Sequence, residues 1–189
     1  MMNDVGLLIA RATIGTSMAA HGAQKAFGWY NGPGPEKAAG SMERMGFEPG
    51  DRYAQAAAWT EIAGGTLTAI GLGGPIGPAL VLSTMIVAQT TDYEKSGKYF
   101  NSEGGNEIAI LYGAAALALV SSGPGAIALD GALNLGALRN PWITTVAVAG
   151  AAIGAFAILG QRTKSPRSAP EQPKNGVQQP EPSVTPTAA

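Results

Sequence analysis

The chemistry open to this chain rests on a few side chains. His21 is the only histidine among 189 residues, and Lys25 follows it by four positions, a spacing that puts both on one face of a helix. His21, Glu61 and Glu107 are the groups able to exchange protons, and so are the candidate catalytic residues. Lys25 and Asn101 could donate to a ligand oxygen, and Trp29 and Trp59 could wall a slot around a flat ligand. The composition excludes other chemistries. The chain has no cysteine, so it has no disulfide, dithiol or thiolate metal site. A single histidine rules out a bis-histidine haem and any histidine cluster, and no metal site is expected. No flavin or dinucleotide glycine fingerprint is present. A net charge of −1 without a long basic stripe gives no support for a nucleic-acid partner.

The elements that must position these residues read as membrane helices. A bilayer core of about 30 Å needs about 20 apolar residues in helix, and the pattern predicts such segments over residues 4–25, 53–72, 76–91 and 107–122, with a fifth over 142–159. A shorter amphipathic helix over 36–45 is expected at the interface. The glycine- and proline-rich stretch 71–78 is a turn, 93–106 a polar loop, and 121–141 a connection with weak helical character around 129–138. Gly15, Ala19 and Gly22 share one face of the first helix at small-residue spacing, and Gly150 and Gly154 form a GxxxG match in the fifth. From residue 161 onward Pro, Ser, Gln, Lys and Glu dominate, and a disordered tail is expected. The N-terminus lacks a basic region and carries Asp4, so the first apolar run reads as a retained helix rather than a signal peptide. The fold class is all-α: a polytopic membrane helical bundle with a four-helix core over 1–132, a connection and fifth helix over 133–160, and a tail over 161–189.

Ten of the twelve cationic side chains fall on one side of this arrangement. They lie in the first loop (Lys25, Lys37, Arg44, Arg52), the third loop (Lys95, Lys98) and the tail (Arg162, Lys164, Arg167, Lys174). The positive-inside rule then places the N-terminus outside and the tail in the cytoplasm. Arg11 lies roughly 10 Å into the first helix and Glu61 roughly 12 Å into the second. A lone charged carboxylate within a membrane costs on the order of 2.5–3.5 kcal/mol, so Glu61 should be protonated, paired or turned to a polar cavity. Helix rise leaves roughly 8 Å of depth between it and Arg11, and an Arg11–Glu61 ion pair is expected. Arg11 reaching back to the headgroups is the simpler alternative. Lys25 and the aromatics Phe27, Trp29 and Tyr30 could equally serve as interfacial anchors, and Glu107 suits a first helical turn without any further role.

Arg11, His21-Gly22, Lys25 and Phe27-Gly28-Trp29 form one group of a longer ordered set. Glu61 before Gly64-Gly65, Asn101 with Gly104-Gly105 and Glu107, and Leu129-Asp130 complete it. In this set residues 4–132 resemble the DoxX family of small bacterial membrane proteins, with Ala128 standing where that family often has serine. The resemblance implies a four-helix core in the bacterial inner membrane and leaves the fifth helix and tail unaccounted for. Family members are commonly classed as membrane oxidoreductases. One branch forms a subunit of an archaeal thiosulfate:quinone oxidoreductase, others are linked to quinone or oxidative-stress responses, and wider relatives act as assembly proteins. Two functions follow from the resemblance. In the first, the protein is a quinone-interacting component of a membrane redox or oxidative-stress complex; the chain encodes no cofactor, so the cofactor would be a bound quinone. Its partners would be the lipid bilayer, soluble redox proteins on the cytoplasmic side and further copies of itself. In the second it is a non-catalytic anchor or assembly factor for such proteins.

Overall fold

The computed structural model describes residues 2–163. Helix α1 (Met2–Phe27) is followed by a short 3-10 turn and α2 (Gly34–Arg44), then by α3 (Gly50–Ile70) and α4 (Ile76–Ser96). After a loop come α5 (Glu107–Ser122), the single-turn α6 (Leu129–Ala132) and α7 (Pro141–Gly160). No strand occurs among the described residues. Helices α1, α3, α4, α5 and α7 alternate in direction. One end of the bundle therefore gathers the C-termini of α1, α4 and α7 with the N-termini of α3 and α5, and α2 lies there too. The opposite end holds the α3–α4 turn and the α5–α7 connection.

Glycine placement decides which helices touch. A Cβ on Gly15 would strike the backbone of Gly65 and Ala69, one on Gly65 the backbone of Gly15 and Ala19, and one on Gly22 Ala58 and Ile62. The small face expected on α1 is thus real, and α3 is its partner. The neighbouring Gly64 turns the other way, where a Cβ would meet Leu80 of α4. Two adjacent glycines therefore let α3 approach a helix on each side. Helix α4 packs on α3, α5 and α7, and the apolar core runs through Met18, Val81, Leu82, Met85, Ala116 and Val120.

Several expected boundaries shift. Helix α4 continues past Thr91 to Ser96, because Asp92, Tyr93 and Glu94 are compatible with helix and Gly97, at φ 63°, is its first stop. The GxxxG match in α7 is not a packing face. Gly150 has nothing within 4 Å of a Cβ, and Gly154 only the Ser83 hydroxyl, whereas Ala151 and Ala155 are the buried residues of this helix. The tail expected from residue 161 starts in ordered contacts. Tyr53 donates to the Gln161 side chain at 2.8 Å, Arg162 donates both terminal nitrogens to Glu94 at 2.6 and 3.1 Å, and the Thr163 amide donates to Gly46 at 2.9 Å. Residues 164–189 lie outside the described residues. Among the described residues only α7 is long and apolar enough to cross a membrane by length and composition; α5 is apolar but spans 16 residues. Helices α1, α3 and α4, at 26, 21 and 21 residues, have the length but are interrupted by polar side chains.

The close α1–α3 approach yields a direct test. Gly65→Ala should lower the unfolding midpoint in detergent, at a cost of about 1–3 kcal/mol, because its methyl group meets backbone that cannot step aside. Gly6→Ala, in the same pair of helices but with open space around it, should be neutral or stabilising by up to about 1 kcal/mol. Equal midpoints for the two variants would contradict the packing described.

Candidate functional site

The α1–α3 seam has a regular repeat. Arg11, Gly15, Met18, Gly22 and Lys25 are spaced four and three apart on α1. Ala54, Ala58, Glu61, Gly65 and Thr68 repeat that spacing on α3, and all five are buried. Helical side chains lean toward their own N-terminus. In an antiparallel pair Lys25 therefore leans inward from the end of α1 while Glu61 leans outward to meet it. The Lys25 ammonium donates to Glu61 Oε1 in an ion pair whose lysine side chain is 30% exposed and whose glutamate side chain is 4% exposed. The second oxygen, Oε2, is buried with no hydrogen-bond partner among the described residues.

The register overturns the expected Arg11–Glu61 pair. Gly15 already lies against Gly65 and Ala69, and Arg11, one turn further out, meets Gly71, so it stands ten residues from Glu61 along α3, roughly 15 Å at the helical rise. Its guanidinium is buried and donates to the carbonyls of Pro124, at 3.0 Å, and Ile127. Asp130, also buried, lies within its field. Each Asp130 oxygen accepts a backbone amide of the α3–α4 turn, from Gly73 at 2.9 Å and Gly74 at 2.7 Å, and the Asp130 amide donates to Gly71 at 3.0 Å. Gly71 adopts φ 68°, and a Cβ there would overlap the Arg11 guanidinium. Arg11 is thus a structural group that joins α1 to the α5–α7 connection beside the α3–α4 turn, at the far end of the bundle.

At the Lys25 end, a cavity of about 350 Å³ opens between the end of α1, α2 and the first turns of α3. Lys25, Phe27, Glu36, Asp51, Gln55 and Trp59 supply most of its chemistry, and alanines and Pro35 complete the wall. Phe27 packs at a tilt on Trp29 with centroids 5.0 Å apart and meets Trp59 edge-on at 5.8 Å, and Trp29 meets Tyr30 edge-on at 6.5 Å. Trp29 and Trp59 are both more than half exposed. Asp92, past the apolar part of α4, has its carboxyl pushed up by burial, against the smaller opposing effects of Lys95 and Lys25.

Lys25, Glu61, Trp59 and, through Phe27, Trp29 come together as one group. The other candidates do not join it. His21 is exposed, with Nδ1 at 3.2 Å from the Gln24 side chain and its ring edge-on to Tyr112 at 6.0 Å, on the α5 side of α1. Glu107 accepts the Asn101 amide at 3.1 Å and so closes its own loop. Asn101 is exposed. The reading of Glu107 as a helix-terminal acid therefore has direct structural support. Sequence reasoning missed Glu36 and Asp51, which look like ordinary first-turn acids, and Asp92, which looks like the end of a helix. Asp130 stood in the resemblance without a role. Its partners lie 56 and 57 residues away, and no local pattern reveals them.

Removing one partner of a buried ion pair strands the other. Lys25→Met should destabilise the protein by about 1–3 kcal/mol, less than for a fully buried pair because Lys25 keeps some solvent contact. Adding Glu61→Gln should restore much of that, a coupling of about 1–3 kcal/mol in a double-mutant cycle of thermal unfolding. Arg11→Met combined with Glu61→Gln should instead be additive within about 0.5 kcal/mol.

One family model, DoxX, matches residues 6–94, which contain most of α1, all of α2 and α3, most of α4 and the whole Lys25–Glu61 site. No curated protein and no solved structure matches the chain. The matched stretch ends before Asn101, Glu107 and Asp130, so it is shorter than the resemblance drawn from the motifs. Over residues 6–94 the chain belongs to the DoxX family of membrane proteins.

Proposed function

We propose that this protein is a quinone-interacting component of a membrane redox or oxidative-stress complex, with the cavity at the Lys25 end as the quinone site. One observation carries the reading: a cavity of about 350 Å³ has an ammonium group and aromatic rings in its wall, with a buried carboxylate just behind that ammonium. The size falls in the range of about 300–1,000 Å³ usual for small-molecule pockets. Phe27 and Trp59 would wall the ring. Lys25 would donate to a ring oxygen while Glu61 keeps the ammonium in place. Glu61 Oε2, which has no hydrogen-bond partner among the described residues, leaves an acceptor behind the ammonium. A bound quinone would supply the two-electron chemistry, and a soluble redox protein on the same side of the membrane would supply or remove the electrons.

The bundle sits in the membrane, in this reading, with α1, α3, α4, α5 and α7 all crossing. The Lys25 end, rich in cations, faces the cytoplasm and the N-terminus lies outside. Val5, Ile9, Leu111, Leu117, Ile153 and Phe156 are exposed on these helices, as lipid-facing side chains would be. The anchor reading draws support from a different feature. Tyr99 and Phe100, ring centroids 5.2 Å apart, are exposed on the α4–α5 loop at the Lys25 end, where a soluble partner could rest.

The two readings separate on purified protein in nanodiscs. Extraction and chromatography should find co-purifying quinone in the wild type. Both Lys25→Met and Trp59→Ala should weaken rebinding at least tenfold, in protein shown by its unfolding transition to be folded. Wild-type protein that neither retains nor rebinds quinone, yet captures soluble redox proteins unless Tyr99 and Phe100 are replaced, would establish the anchor instead.

A further inference from the structure

The wall of this cavity carries charges that quinone binding alone does not require. Glu36, in the first turn of α2, and Asp51, in the first turn of α3, both line it and are exposed. Neither makes an ion pair among the described residues. Their sequence neighbours Lys37 and Arg52 are not in the wall. The cation that is, Lys25, already faces Glu61. The N-termini of α2 and α3 answer only about half a charge each, so within the wall the two carboxylates outweigh them. Phe27 and Trp59 act in the same direction, since the faces of aromatic rings attract cations.

We propose that Glu36 and Asp51 make the cavity charge-selective: it admits a flat ring that is neutral or bears a cationic group and rejects the same ring bearing an anionic one. This rests on the reading of the cavity as a ring-binding site and adds the class of ring it takes. The selection is electrostatic and acts at the mouth. It therefore weakens with salt, because the screening length shrinks from about 10 Å at 0.1 M to about 3 Å at 1 M. Lys25 and the aromatic walls hold the ring, and the two acids decide which rings arrive.

The test uses the full chain in nanodiscs of zwitterionic lipid and two fluorescent naphthalene probes with the same short alkyl arm. One arm ends in a trimethylammonium group and the other in a sulfonate. The ammonium probe should bind roughly tenfold more tightly at low salt, as two exposed carboxylates would give, and the preference should shrink toward unity at about 1 M salt. Glu36→Gln with Asp51→Asn should reduce the ratio below about twofold while both probes still bind. Glu43→Gln with Glu48→Gln, acids outside the wall, should leave the ratio intact. Equal binding of the two probes to the wild type, or a ratio that survives the Glu36/Asp51 replacement, overturns the proposal. Neutral naphthoquinone is titrated in parallel. If it fails to bind while the probes are still discriminated, the quinone reading falls and the charge selectivity stands. If no probe binds, both fall.

Discussion

The bundle depends on the backbone contact between α1 and α3. Gly15, Gly22 and Gly65 remove the Cβ atoms that would hold these helices apart. At that separation the two seams of four-and-three spacing lie in register. The register assigns every buried charge in the pair. Glu61, in mid-seam, can be reached only by a side chain leaning inward from the end of α1, and Lys25 is the residue there. Arg11, at the other end of the same seam, leans out of the pair and into the loops. A larger residue at Gly15 or Gly65 would displace both the Lys25–Glu61 pair and the Arg11 contacts, since one rigid contact positions them.

The two ends are built differently, and the difference bears on function. At the far end buried charge meets fixed backbone: Asp130 takes two turn amides and Arg11 takes two loop carbonyls. Hydrogen bonds to charged groups contribute about 1.5–3 kcal/mol each, and backbone partners in a tight turn cannot swing away. That end is closed. At the Lys25 end the pair is made of two side chains, one partly in solvent, with an unused carboxylate oxygen behind it and a cavity in front. A lysine ammonium has three donors on a flexible stem and can turn one to a ligand while keeping Glu61, whereas an arginine clamped between carbonyls is fixed. The proposed ligand chemistry therefore suits the Lys25 end, and the far end serves to hold the seam straight.

Much of this was legible in the sequence, and the failures share a cause. Helix positions, the small-residue face of α1 and the need of Glu61 for a partner all follow from local composition and spacing. The choice of partner did not. Depth measured from each membrane surface brings Arg11 within reach of Glu61, but the glycine contacts set a register that puts Arg11 beside Gly71 and Lys25 beside Glu61. His21 and Lys25 share a helix face by spacing, yet α1 is wedged between α3 and α5, so one residue faces Tyr112 and the other Glu61. The four-residue repeat cannot tell which neighbour takes which side. Glu107 and Asn101 found each other across six residues, a closure too local to imply a shared pocket. The Gly150–Gly154 motif illustrates the reverse error. A spacing that permits close approach does not supply a helix to approach, and α7 packs through the alanines one position along.

The limits of the family match and of the folding unit are not the same. The match ends at residue 94, inside α4, but α4 has α5 and α7 on its other sides, and Val81, Leu82 and Met85 would be exposed without them. Arg11, within the match, relies on carbonyls at 124 and 127, and the α3–α4 turn relies on Asp130. Glu94 is held below the ordinary carboxylate range chiefly by its hydrogen bonds from Arg162, beyond the end of α7. These contacts run from the matched stretch to the unmatched one at both ends of the bundle. The later helices are therefore not an appendage to a complete four-helix domain. They supply the outer wall of α4 and the loops that neutralise Arg11, while everything that touches the cavity comes from α1, α2 and α3.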